Sequence, residues 1–177
     1  ETSELDLSET GIDDETIKNI SQIYIVACGS AYHVGMTSQY VIEDLTGIPV
    51  RVELASEFRY RRNLLDPTDL VVIISQSGET ADSLAALRKA HSEGTKTLAI
   101  VNVVGSSIAR EADYVLYTLA GPEIAVATTK AYSTQLVAAY MMAIHFGRVR
   151  GIMDDAASKG YVEELLSLPA KIEKIIE

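Results

Sequence analysis

The run Val71-Val72-Ile73-Ile74-Ser75-Gln76-Ser77-Gly78-Glu79-Thr80 limits the possible folds more than any other part of this chain. Its four apolar residues suit a strand covered on both faces, as in a parallel sheet. A turn of hydroxyl and amide side chains follows, and a helix is expected to open at Glu79. Gly78 lets the backbone turn tightly, or approach a ligand, without a Cβ in the way. The first N–H groups of a helix lack internal partners. At the positive end of the helix dipole they form an anion site, and phosphate is a common occupant. Ser75, Gln76, Ser77 and Thr80 would add side-chain donors. The segment therefore predicts a small phosphorylated ligand held at a strand exit. Ser, Thr and Gly before a helix are also ordinary capping residues. Six polar or glycine residues in a row are less ordinary, and Cys28-Gly29-Ser30-Ala31 repeats the device after an earlier apolar run.

Around these turns the chain alternates. Strands are expected at 22–28, 50–54, 70–75, 96–102 and 113–118. Helices are expected at 10–19, 32–46, 79–93 and 129–149, with shorter ones after 55 and 106. One or two more finish the chain, interrupted at Pro169. Strand–helix alternation implies a parallel sheet between helical layers. The expected fold is an α/β three-layer α/β/α sandwich on a five-stranded parallel sheet. Val50-Arg51-Val52-Glu53-Leu54 alternates in polarity and is placed nearer an edge. In such sheets ligands sit beyond the carboxyl ends of the strands. The turns at 29–31, 75–80 and 102–107 share that edge.

Composition narrows the partners. A chain of 177 residues suits one domain with a substantial core. With 15 basic and 25 acidic residues and a net charge of −10, it lacks the basic footprint that nucleic acid requires. An anionic ligand must then be held by local N–H and O–H donors. One cysteine excludes an internal disulfide and fits a reducing, cytoplasmic setting. No apolar run approaches the roughly 18 residues of a membrane span, so no membrane partner is expected. The chain starts at Glu1 without Met and ends within an amphipathic pattern at 170–177, which suggests a fragment of a longer protein.

Other candidate groups are weaker. Gly29 and Gly35 do not complete a dinucleotide fingerprint, and the P-loop lysine is missing. Cys28 reads as a small buried residue at a strand end rather than a nucleophile. Thr128 and Thr129 suit the cap of the long helix, and a ligand could share their hydroxyls. Lys130 suits a phosphate partner or Schiff base less well than a snorkelling or paired lysine. His33, His91 and His145 are not spaced as a zinc pair, and no metal is expected. Glu79 with His33 is the only acid/base pair to nominate, although a glutamate at a helix start more often complements the dipole. Arg59, Arg61 and Arg62 read as a solvated face paired with Glu53 and Glu57. The helix after Lys130 is apolar nearly all round and must be covered on every side, by a partner or by a larger core.

Four phrases appear together and in order: Ala27-Cys28-Gly29-Ser30-Ala31-Tyr32, Ala55-Ser56-Glu57-Phe58-Arg59-Tyr60, Ser75-Gln76-Ser77-Gly78-Glu79-Thr80-Ala81-Asp82 and Glu123-Ile124-Ala125-Val126-Ala127-Thr128-Thr129-Lys130-Ala131. Together they resemble the first sugar isomerase (SIS) domain of the isomerising glutamine–fructose-6-phosphate aminotransferase family. The resemblance covers nearly the whole chain. It implies a lead-in segment at 1–20, a phosphosugar-binding SIS domain at 21–150, and a helical segment at 151–177 leading to a second SIS domain. It also implies a cytoplasmic, homodimeric parent with a glutaminase domain, making glucosamine 6-phosphate from fructose 6-phosphate and glutamine without metal or other cofactor. By the same resemblance Ser75, Gln76, Ser77 and Thr80 hold the sugar phosphate, and Ser30, Val126 and Thr128 line the pocket. Ala31 departs from the family pattern, where some relatives carry a second hydroxyl. The family's acid/base glutamate, ring-opening histidine and Schiff-base lysine belong to the second SIS domain and C-terminal tail, so no catalytic residue is expected here. The alternatives are a free-standing phosphosugar sensor, which would need a DNA-binding partner domain, and a stand-alone phosphosugar isomerase.

Overall fold

Strand and helix alternate along the chain as the hydrophobic patterning requires. The computed structural model describes residues 5–124 and 128–177. A 3-10 turn at Ser8–Thr10 and helix α1 (Asp14–Asn19) lead into β1 (Ile23–Ala27) and α2 (Gly29–Thr46). There follow β2 (Val50–Leu54), α3 (Ala55–Phe58), β3 (Leu70–Ser75), α4 (Ala81–Ser92) and β4 (Lys96–Val101). Helix α5 (Ser107–Glu111), β5 (Tyr114–Tyr117), α6 (Lys130–Val149) and α7 (Asp155–Ile176) complete the order. All pairings are parallel, in the order β2-β1-β3-β4-β5. The chain steps from β1 out to the edge strand β2, then crosses back to β3 on the other side. That reversal opens a crevice beyond the carboxyl ends of β1 and β3.

Successive strand residues point to opposite faces, and each face has its own core. Ile23, Ile25, Ala27, Leu70, Val72, Ile74, Leu98 and Ile100 pack with residues of α1, α2 and α6. Tyr24, Val26, Val71, Ile73, Ala99 and Val101 pack with α3, α4 and α5. The three layers expected from the sequence are therefore present. Helix α6 is covered within the chain, touching α1, α2, α7 and β4. Much of its apolar surface is thus buried in the core, while Leu136, Val137, Tyr140 and Met141 stay half-buried. Gly147 allows the closest approach, because a Cβ there would run into the Leu45 carbonyl of α2. Just beyond α6, the Arg150 guanidinium donates to the carbonyls of Ile17, Lys18, Ile20 and Thr46 at 3.0–3.2 Å. It thereby ties the ends of α1 and α2 to that of α6.

Several local expectations fail. Residues 29–31, expected as a turn before a helix at 32–46, are the first turn of α2. Helix α4 begins at Ala81, not Glu79, with Thr80 extended at its N-cap. Gly78 takes φ +66, and the Ser77 hydroxyl accepts the Glu79 N–H at 3.1 Å. These hold two more residues in the turn. Pro169 does not break the last helix, since α7 runs through it. Proline removes one ladder bond and crowds the carbonyl four residues back. Most of α7 faces solvent, where water can satisfy the freed carbonyl. No described helix is long and apolar enough to cross a membrane.

Candidate functional site

The turn after β3 is organised by its own hydroxyls. Ser75, the last strand residue, accepts the Gly78 N–H at 3.1 Å and shares a 3.1 Å hydrogen bond with the Thr80 hydroxyl. Gly78 sits against Ser106, and its carbonyl accepts the Ile108 N–H at 3.0 Å. The Gln76 carbonyl accepts the Asn102 N–H at 3.3 Å. Asn102 in turn holds the next loop. Its Oδ1 accepts from Thr118 Oγ1 at 3.1 Å and Ala120 N at 2.7 Å, and its Nδ2 donates to the Gly121 carbonyl at 2.7 Å. The exits of β3, β4 and β5 are thus fastened side by side.

Beyond the exits of β1 and β3 lies a cleft of about 460 Å³, lined by residues 28–31, Ile74, Ser75, Gln76, Ser77, Thr80, Glu123, Thr128 and Gln135. The first turn of α2 and the Thr80 N-cap of α4 both open onto it. Helix N-termini carry partial positive charge and free N–H groups, so the cleft is anion-seeking although the chain carries −10. Both polar atoms of the Gln76 amide, and Thr128 Oγ1, are buried with no hydrogen-bond partner among the described residues. Groups of this kind are rarely left unpaired, and both residues belong to the wall of the cleft.

Of the residues expected at the site, Ser30, Ser75, Gln76, Ser77, Thr80 and Thr128 line this one cleft. Val126 lies outside the described residues. Ala31 lines the cleft too and presents a methyl group there. Cys28, expected to be buried, is half-buried at the cleft wall. Sequence reasoning missed Glu123 and Gln135. The Glu123 carboxylate accepts the Ala131 N–H at 3.4 Å, at the start of α6. Gln135 is 2% exposed. Its signal was a lone amide in phase with Ala131, Ala138 and Ala139.

Other candidates turn elsewhere. Glu79 Oε1 accepts the Ser107 N–H at 2.8 Å, and hydrogen bonding from Ser107, with Arg110 nearby, holds its pKa below the usual carboxylate value. It straps the turn to α5 and does not line the cleft. His33 is exposed, edge-on to Tyr32. Lys130 is exposed on the first turn of α6. His91 bonds Thr97 at 2.9 Å and Asp113 at 3.0 Å. Burial, then the nearby Arg148, lowers the pKa of His145. Arg61 pairs with Glu53 at 2.9 Å, but Arg59 pairs with Asp82 at 2.6 Å rather than with Glu57. The shared helical face of α3 and α4 brings Asp82 closer. Among the described residues, no cluster of His, Cys, Asp or Glu could hold a metal ion.

The family model of the SIS domain matches residues 16–145. The chain belongs to the SIS domain family. This SIS domain is 53% identical, over 98% of its length, to the isomerising glutamine–fructose-6-phosphate aminotransferase of Clostridium tetani. It is 55% identical, over 92%, to that of Symbiobacterium thermophilum. It spans 29% and 27% of those relatives. A solved structure, the C-terminal domain of glucosamine-fructose-6-phosphate aminotransferase from Francisella tularensis, matches with a TM-score of 0.90 and 41% identity. That match covers 96% of this SIS domain and 48% of the solved chain. The resemblance read from the four phrases therefore extends along the whole chain.

Proposed function

We propose that this SIS domain is the first of two in an isomerising glutamine–fructose-6-phosphate aminotransferase, and that its cleft holds the sugar phosphate. In this reading Ser75, Gln76, Ser77 and Thr80 take the phosphate, and Ser30, Val126 and Thr128 contribute the remaining wall. The parent enzyme makes glucosamine 6-phosphate from fructose 6-phosphate and glutamine. It is cytoplasmic and homodimeric, and supplies a glutaminase domain and a second SIS domain. Residues 21–150 form the binding domain, 1–20 lead into it, and 151–177 lead out. The acid/base chemistry belongs to the other parts of the parent, so this chain alone binds without turnover. Glu79 supports that division, because its carboxylate is committed to Ser107.

The observation that carries the reading is the convergence of four hydroxyls and two helix N-termini on one cleft at the switch point, with Gln76 and Thr128 in its wall. A phosphate accepts hydrogen bonds and carries charge, and this cleft offers donors and positive dipole ends. Calorimetric titration with fructose 6-phosphate and glucosamine 6-phosphate tests it. Ser77→Ala and Thr80→Ala should each cost about 1.5–3 kcal/mol of binding, the usual range for a hydrogen bond to a charged group. Unchanged affinity in both variants would remove the assignment. Turnover of fructose 6-phosphate by the chain alone would favour a stand-alone isomerase.

A further inference from the structure

We propose that Gln135 reads the carbohydrate part of the ligand, across the cleft from the turn that takes its phosphate; this rests on the phosphosugar reading of the cleft. Gln135 lies in the second turn of α6, is 2% exposed, and lines the cleft. Every other buried residue of α6 is apolar or glycine. A lone amide on such a face is costly to bury unless something bonds to it. An alanine or methionine at this position would have continued the pattern of Ala131, Ala138, Ala139 and Met142.

The layering decides which part of a ligand Gln135 would meet. Helix α4, whose N-cap Thr80 closes the phosphate turn, belongs to the layer on one face of the sheet. Helix α6 belongs to the layer on the other. A ligand anchored by phosphate at Ser75–Thr80 therefore extends toward α6. A phosphate needs donors only, and the turn supplies them. Sugar hydroxyls both donate and accept, and a carboxamide offers one group of each kind. Held on a packed helix rather than a loop, that amide is fixed in place. A site built to hydrogen-bond a hydroxyl discriminates strongly against ligands that lack it, because its own polar group is then left unpaired.

The test compares two ligands on the 177-residue chain: fructose 6-phosphate and inorganic phosphate, each titrated by NMR. Gln135→Met keeps the volume and removes the amide. It should weaken fructose 6-phosphate at least about tenfold, the scale of one lost polar contact, while inorganic phosphate stays within about twofold. Its melting temperature should not fall, since an apolar side chain suits the surrounding face. Gln135→Asn keeps the amide but withdraws it, and should show the same selective loss. Unchanged fructose 6-phosphate affinity in either folded variant, or equal losses for both ligands, would overturn the role. A wild-type chain that binds neither ligand would instead overturn the phosphosugar reading, and this inference with it.

Discussion

Gly78 lies so close to Ser106 that a Cβ on it would overlap the Ser106 side chain. One residue therefore fixes both the shape of the phosphate turn and its docking on the exit of β4. Its φ of +66 also lies in the left-handed region that disfavours side chains. Gly78→Ala should lower stability by about 2 kcal/mol or more, summing the backbone term and the overlap. Phosphosugar binding should be lost more completely than the fold. Urea denaturation and calorimetry on the same preparation would separate the two. A variant that binds normally would show that the turn tolerates rearrangement.

Asn102 should behave as a positioning residue. Its side chain joins Thr118, Ala120 and Gly121, and its N–H joins Gln76. Asn102→Ala frees the segment that carries Glu123 and Thr128 to the cleft. Affinity should fall about tenfold, as expected for about one to two lost hydrogen bonds. Amide exchange at 118–121 should quicken, while exchange within β1 and β3 stays slow. Equal quickening throughout would indicate global destabilisation instead.

Arg150 satisfies four carbonyls at helix ends, and among the described residues no carboxylate pairs with it. Arg150→Met keeps much of the stem but leaves those carbonyls to water or to nothing. A loss of about 2–4 kcal/mol is expected, from hydrogen bonds to a charged donor. Exchange should quicken first in α1, whose Ile17, Lys18 and Ile20 carbonyls the guanidinium holds. Chemical denaturation gives the magnitude, and ligand affinity at saturating native population should not change.

Asp113 gives the fold an acid-side dependence on pH. Burial alone would raise its pKa, but hydrogen bonds from the Thr97 N–H and hydroxyl, Lys96 and His91 outweigh it, and the net shift is downward from 3.8. A depressed folded pKa means the unfolded chain takes up the proton first. The stabilisation is complete above the ordinary value of 3.8 and disappears as pH falls through the lower folded value. Asp113→Asn should destabilise by about 1–2 kcal/mol at pH 7. The gap to wild type should narrow below about pH 4, near the usual carboxylate pKa. Thermal melts from pH 7 to pH 2 would check it, and a constant gap would exclude the titration.

Pro169 is a local sequence signal that did not end its helix, since α7 runs through it at a solvent-exposed position. Within α7 it forfeits one ladder bond and crowds Leu165. Pro169→Ala should raise helix content and stabilise α7, by up to about 3 kcal/mol locally. Circular dichroism would register the gain. An unchanged spectrum would show that the helix is already complete at the proline.

The sequence alone determined the strands, their parallel class, and the hydroxyl-bearing turn after β3, because each depends on short-range pattern. Apolar runs without alternation mark strands buried on both faces, and glycine after hydroxyls marks a turn at any point in a chain. The edge position of β2 was legible for the same reason, since Val50–Leu54 alternates. Tertiary structure decided what lies opposite what. Gln135 looked like part of an apolar helix until α6 was laid over the cleft, and Glu79 looked like a candidate acid until its carboxylate met Ser107 from another strand's exit. Such partners are separated by tens of residues, and only the packing of whole layers brings them within hydrogen-bonding reach.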